Sequence, residues 1–93
     1  MSKMIFPSYQ FDLDGLHVLI RFQEFGYSYV VPVVYEMRPS IGGGRWEQVS
    51  NTYWNDPMEI QSFVRGDDSR RKEFARKAAE KWREYRKGWE ISA

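Results

Sequence analysis

Cysteine is absent from the 93 residues and histidine occurs once. Without thiols the chain has no disulfide, no thiolate nucleophile and no cysteine-held zinc or iron–sulfur centre. A single imidazole leaves no conventional multi-histidine metal site. Long apolar runs are missing too. The longest nearly unbroken one, Tyr27 to Tyr35, is far short of a bilayer span and contains Pro32. Met1 to Pro7 has neither an apolar h-region nor a small-residue cleavage site, and Trp89 to Ala93 matches no lipidation or retrieval signal. These absences lead us to expect a cytoplasmic protein with no membrane partner, no metal and no cofactor.

What is abundant is aromatic. Four Trp, six Tyr and six Phe make up 17% of the chain, beside 42% hydrophobic and 29% charged residues overall. A chain of this length forms one domain, residues 1–93, and buries only about 60–65% of its unfolded surface. Large rings recover part of the stabilisation that a small core lacks.

The first half reads as a β-meander over about residues 5–52. Asp14-Gly15 favours a type I′ turn, pairing Leu13 with Leu16, Phe11 with Val18 and Tyr9 with Ile20 on one face. The other face of that hairpin carries Asp12 opposite His17 and Ser8 opposite Arg21. Phe25-Gly26 leads into a third strand, about Tyr27 to Arg38, which Val30 and Val34 make partly apolar on both sides. Pro32 cannot donate to a ladder, so it marks an edge, a bulge or a handover between pairing partners. Pro39 to Gly44 reads as a flexible loop, and Trp46 to Ser50 as a fourth strand.

The second half reads as helical. Asp56-Pro57-Met58-Glu59 resembles a capping box opening a short helix, about 57–65, that ends at Gly66. Asp67, Asp68 and Ser69 supply the next cap. Phe74, Ala75, Ala78, Ala79, Trp82 and Tyr85 form one apolar face of a long helix, about 69–87, with Gly88 at its C′ position and Trp89 folding back. The expected fold class is α+β: an antiparallel meander of three to four strands, then two helices packed on one face, in two layers.

The net charge of +1 hides an asymmetry. Residues 1–64 hold four basic and seven acidic side chains, whereas residues 65–93 hold ten basic and six acidic. On the long helix Lys72, Arg76, Arg83 and Lys87 form a basic row suited to phosphates, although dedicated nucleic-acid domains carry a stronger basic excess. Gly42-Gly43-Gly44-Arg45 joins two strands and lacks the Gly-Lys-Ser/Thr ending of a phosphate loop. Arg65-Gly66-Asp67 is read as a helix-to-helix turn and not as an integrin ligand. His17 opposite Asp12, with Ser8 nearby, is the nearest approach to a catalytic grouping, and no motif supports it.

No catalytic residues are therefore assigned, and the chain is expected not to be an enzyme. The leading expectation is a non-catalytic protein-binding module, an inhibitor or adaptor that occupies another protein's surface. Leu19, Val30 and Val34, taken to lie on the outer sheet face, together with Ile41, Arg45, Trp46 and Trp54, form the expected contact set. Small inhibitors of phages and mobile elements, anti-CRISPR proteins among them, share this size and lack of motifs; the analogy is one of size only. The first alternative is nucleic-acid binding through the basic row. The second is a small cysteine-free, nuclease-like enzyme using His17, Arg45 and Arg76. A third strand at a sheet edge would also permit a homodimer.

Overall fold

Asp14 and Gly15 both adopt positive φ, 56° and 83°, which is what a two-residue type I′ connection requires. In the computed structural model, which describes the backbone of residues 6–92 and the side chains of 6–39 and 41–88, this turn joins β1 (Tyr9–Leu13) to β2 (Leu16–Phe25). The register is the expected one, Leu13 with Leu16, Phe11 with Val18 and Tyr9 with Ile20. Gly26, at φ 68°, turns the chain into β3 (Tyr29–Ser40), and β4 (Gly43–Gln48) follows. The glycine-rich stretch is not a loop: Ser40 pairs with Gly43 and Pro39 with Gly44, leaving Ile41-Gly42 as the whole turn. Gly42 at φ 88° takes the left-handed backbone, so the strands continue to the tip. The order is β1-β2-β3-β4, all antiparallel, and β3 is an inner strand.

Pro32 marks a handover on β3. One side of β3 pairs with β2 from Tyr29 to Glu36, Phe22 standing opposite Pro32. The other side pairs with β4 as far as Tyr35 and with a two-residue strand, β5 (Met58–Glu59), at Tyr29 and Val30. Residues 49–57 bridge the gap. The Val49 N–H donates to the Val34 carbonyl at 2.9 Å, the Val34 N–H donates to Ser50 Oγ at 2.9 Å, and Asn55 Nδ2 donates to the Pro32 carbonyl at 3.2 Å. Since strand backbone groups alternate sides, the nitrogen of Pro32 points into this gap, where a missing donor costs nothing.

The pairing of β5 also corrects the short helix. Met58 and Glu59 are held extended against β3, and the Ile60 N–H is bonded to the Ser28 carbonyl at 2.8 Å. Hence α1 spans only Ile60–Arg65, and Glu59, not Asp56, occupies its N-cap position without a side-chain bond. Gly66 ends α1 as expected, with extended backbone; a Cβ there would lie 3.1 Å from the Arg70 side chain and 3.3 Å from the Ser62 carbonyl oxygen. Asp67 Oδ1 accepts the Arg70 N–H at 2.9 Å and caps α2 (Asp68–Ser92). The aspartate of Arg65-Gly66-Asp67 is thus occupied structurally. Gly88 lies inside α2 and does not end it, because one glycine costs a helix only about 1 kcal/mol. The Trp89 side chain lies outside the described residues.

The core lies between the sheet and α2. Ala75, Ala78, Ala79 and Trp82, at helical spacing, meet Phe11, Val18, Ile20, Val30 and Val34. Small alanines allow a helix backbone to come close to a sheet, and Trp82 is buried in the same core. Phe22 and Phe63 join α1 to the same core with ring centroids 4.7 Å apart. Arg71 ties the two helices: its Nη1 donates to the Phe63, Val64 and Gly66 carbonyls, groups left open by the end of α1. The result is the expected two-layer α+β fold, with β5 added to the sheet.

Candidate binding surfaces

The sheet has a second face that neither helix covers. Tyr35 opposite Leu19, and Val33 opposite Arg21, place the odd-numbered residues of β2 and β3 there. Leu19, Val31 and Val33 are buried on this face, forming an aliphatic row. Longer side chains stand around it. The Arg21 guanidinium lies 5.5 Å from the Tyr35 ring centroid, Phe25 meets Tyr53 edge-on at 5.5 Å, and His17 lies 5.4 Å from Trp46. Tyr29, Met37 and Tyr53 are exposed, Tyr53 to 80%. A surface of rings around buried aliphatics, with one arginine, has the composition of a binding hot spot.

The helix side carries an ionic cluster. Glu36 is only 2% exposed, on the same face as Val30 and Val34. Trp82 Nε1 donates to Glu36 Oε2 at 2.6 Å, and Arg86 Nε lies 2.9 Å from the same oxygen. Arg38 stands 3.9 Å from Glu36 and 3.8 Å from Glu47, which also lies 3.9 Å from Arg45. A carboxylate this buried needs such partners, and the cluster pins the carboxyl half of α2 to the sheet. At the other end of α2 the Tyr9 hydroxyl donates to Asp68 Oδ1 at 2.6 Å. Burial, then that bond, raises the Tyr9 pKa above its ordinary value, so the phenol stays protonated into alkaline solution.

The expected contact set does not assemble into one patch. Val30 and Val34 are core residues with no exposure, which corrects their placement on the outer face. Leu19 does lie on the open face but is 6% exposed, and Trp46, half-buried, lies beside His17 there. Ile41 is fully exposed at the β3–β4 turn. Arg45, next to Trp46 on β4, projects to the opposite face. Trp54 is held on the helix side, 5.5 Å from Trp82 and 5.8 Å from Tyr85, with Lys81 Nζ 4.5 Å from its ring. Arg21, Tyr29, Tyr35 and Met37 were not singled out from the sequence as contact residues. Their alternation along β2 and β3 was visible, but not which parity faces the helices.

The basic row is largely engaged. Arg83 lies 3.3 Å from Asp14 and 3.5 Å from Glu84, Lys87 lies 3.6 Å from Glu84, and Arg76 lies 3.7 Å from Glu73 with its guanidinium over Phe11. Lys72 is exposed. His17 and Asp12 stand opposite each other in the register as expected, but their side chains take other partners: His17 Nε2 sits 3.2 Å from Gln10 Oε1, and Asp12 Oδ1 accepts the Gly15 N–H at 3.2 Å. Ser8 precedes β1 and lines an open depression with Arg21 and Phe22, at the far end of the hairpin from His17. Arg45 projects from the opposite face of the sheet to His17, and Arg76 lies on α2 over Phe11. One open depression of about 570 Å³, lined by Glu24, Tyr27, Tyr29 and Glu59 among others, contains no histidine. Among the described residues no group of three or more His, Asp or Glu could hold a metal ion, and no helix is long and apolar enough to cross a membrane.

Compared with known proteins, the chain matches no family model, no curated protein and no solved structure.

Proposed function

We propose that this chain is a non-catalytic protein-binding module, acting as an inhibitor or adaptor, and that the helix-free face of its sheet is the surface it offers. The observation that carries the reading is the asymmetry of the sheet. Both helices lie on one face, while the other presents Tyr29, Met37, Tyr53 and Trp46 with Arg21 among buried aliphatics. Exposed rings on a rigid sheet give large contact area at little entropic cost. The basic row favours nucleic acid less, since Arg76, Arg83 and Lys87 are neutralised by neighbouring acids.

Affinity capture from the cells that make the protein, with and without nuclease, tests this. A discrete partner should survive nuclease, lose at least about tenfold in affinity to Tyr29→Ser with Tyr53→Ser, and be unaffected by Lys72→Ala. The substituted side chains are exposed, so circular dichroism should show an intact fold. Loss of every protein after nuclease, or full retention by the double tyrosine variant, overturns the reading.

A further inference from the structure

We propose that β4 pairs antiparallel with β4 of a second copy of this chain, about a two-fold axis at Trp46. β4 closes the sheet on one side, and α2 packs over β1, β2 and β3, so β4 lies clear of the helix layer. The Val34 N–H and C=O point towards the β4 side of β3, bonded to Ser50 and Val49. By alternation those of Glu36 and Arg38 do the same, which turns the backbone groups of their partners Glu47 and Arg45 inward. The N–H and C=O groups of Gly44, Trp46 and Gln48 therefore point outward, in a row that another strand fits.

The side chains select the occupant. Natural edge strands are guarded by charged side chains, above all lysine, by proline or by a bulge; β4, with the sequence Gly-Gly-Arg-Trp-Glu-Gln, has no lysine or proline, and its two charges are not of one sign. Its charges alternate in sign instead. An antiparallel copy centred on Trp46 sets Arg45 opposite Glu47 and Glu47 opposite Arg45 on one face. It stacks Trp46 beside its equivalent on the other, next to Met37 and His17. The backbone exchanges six hydrogen bonds, two at Trp46 and two at each pairing of Gly44 with Gln48. Moving the axis to Arg45 or to Glu47 opposes like charges, and a one-residue slip turns Trp46 to the wrong face. The sequence of β4 is thus complementary to itself in one register. Among the described residues, the outer edge of β1 turns out the backbone groups of Gln10 and Asp12, without such complementarity.

Sedimentation equilibrium or light scattering on the purified full chain tests this independently of any outside partner. Wild-type protein should show a monomer–dimer equilibrium. Arg45→Glu and Glu47→Arg should each weaken it by about tenfold or more, because each sets like charges face to face across the axis. The double exchange Arg45→Glu with Glu47→Arg should restore it, and the two single variants mixed should form a one-to-one heterodimer. Circular dichroism checks the fold of each, and Gln48→Pro, which deletes an outward N–H and leaves the charges in place, should also weaken the dimer. A wild-type chain that stays monomeric into the hundreds of micromolar overturns the proposal. So does a dimer indifferent to the single reversals and to Gln48→Pro, or one that the double exchange fails to restore.

Discussion

At the scale of residues, the most consequential side chain is Glu36, a carboxylate under the helix that is held by Trp82 and Arg86. A buried ion pair contributes little beyond an apolar pair of the same shape, but breaking one side of it is costly. Arg86→Met leaves Glu36 with the Trp82 N–H and the more distant Arg38, and should destabilise the fold by about 1–3 kcal/mol. Glu36→Gln in the same chain removes the stranded charge while keeping an acceptor for Trp82, and should recover more than half of that loss. Urea unfolding of the two variants and the wild type measures both. If Arg86→Met is neutral, the cluster does not anchor α2. Glu36 is hard to recognise in the sequence, because one acid in a strand with apolar neighbours on both faces reads as solvent-facing.

At the scale of elements, the meander and α2 were legible and the connections were not. The Asp-Gly turn and the alternation around it specified the first hairpin down to its register. Ala75, Ala78, Ala79 and Trp82 marked the buried stripe of α2 by spacing alone. Those alanines set how near the helix lies to β2 and β3. Ala79→Leu inserts three carbons where there is no exposure, and should cost about 1–3 kcal/mol, or more if the helix cannot shift; thermal unfolding checks it. A neutral result would mean that the helix–sheet distance is set elsewhere. Met58-Glu59 misled for a physical reason: the local signal was a helix cap, but pairing with Tyr29 and Val30 held the segment extended. Ser50 and Asn55 gave no signal of their own, since their bonds go to β3 residues sixteen and twenty-three positions away.

At the scale of the whole molecule, the separation of charge along the chain is largely undone by folding. The acidic first half brings Asp14 to Arg83 and Glu36 to Arg86, so the helix that looks basic in sequence is partly neutralised in space. We expect no saturable binding of single-stranded or duplex oligonucleotide at physiological salt, and only a weak interaction at low salt that fades as salt is added. Fluorescence anisotropy measures this. Saturable binding that Lys72→Glu and Arg76→Glu abolish would bring the basic row forward. The same folding leaves the sheet asymmetric, with one face filled by helices and the other faced with rings. That asymmetry is what the binding-module reading rests on.

Composition and periodicity determined the class of this protein: a small α+β fold with a meander first and helices last, and no cysteine chemistry. Local rules sufficed there, because a type I′ turn, a helix cap and an amphipathic stripe are each set by residues close in sequence. Only the tertiary structure decided which side of β3 meets the helices. Val30, Pro32 and Val34 on one side and Val31 and Val33 on the other are equally apolar, and a one-residue difference in the β2–β3 connection exchanges them. The turn around Gly26 settled it by pairing Phe25 with Tyr29. That single register put Val30 and Val34 in the core, buried Glu36 under Trp82, and left Tyr29, Tyr35 and Met37 on the open face.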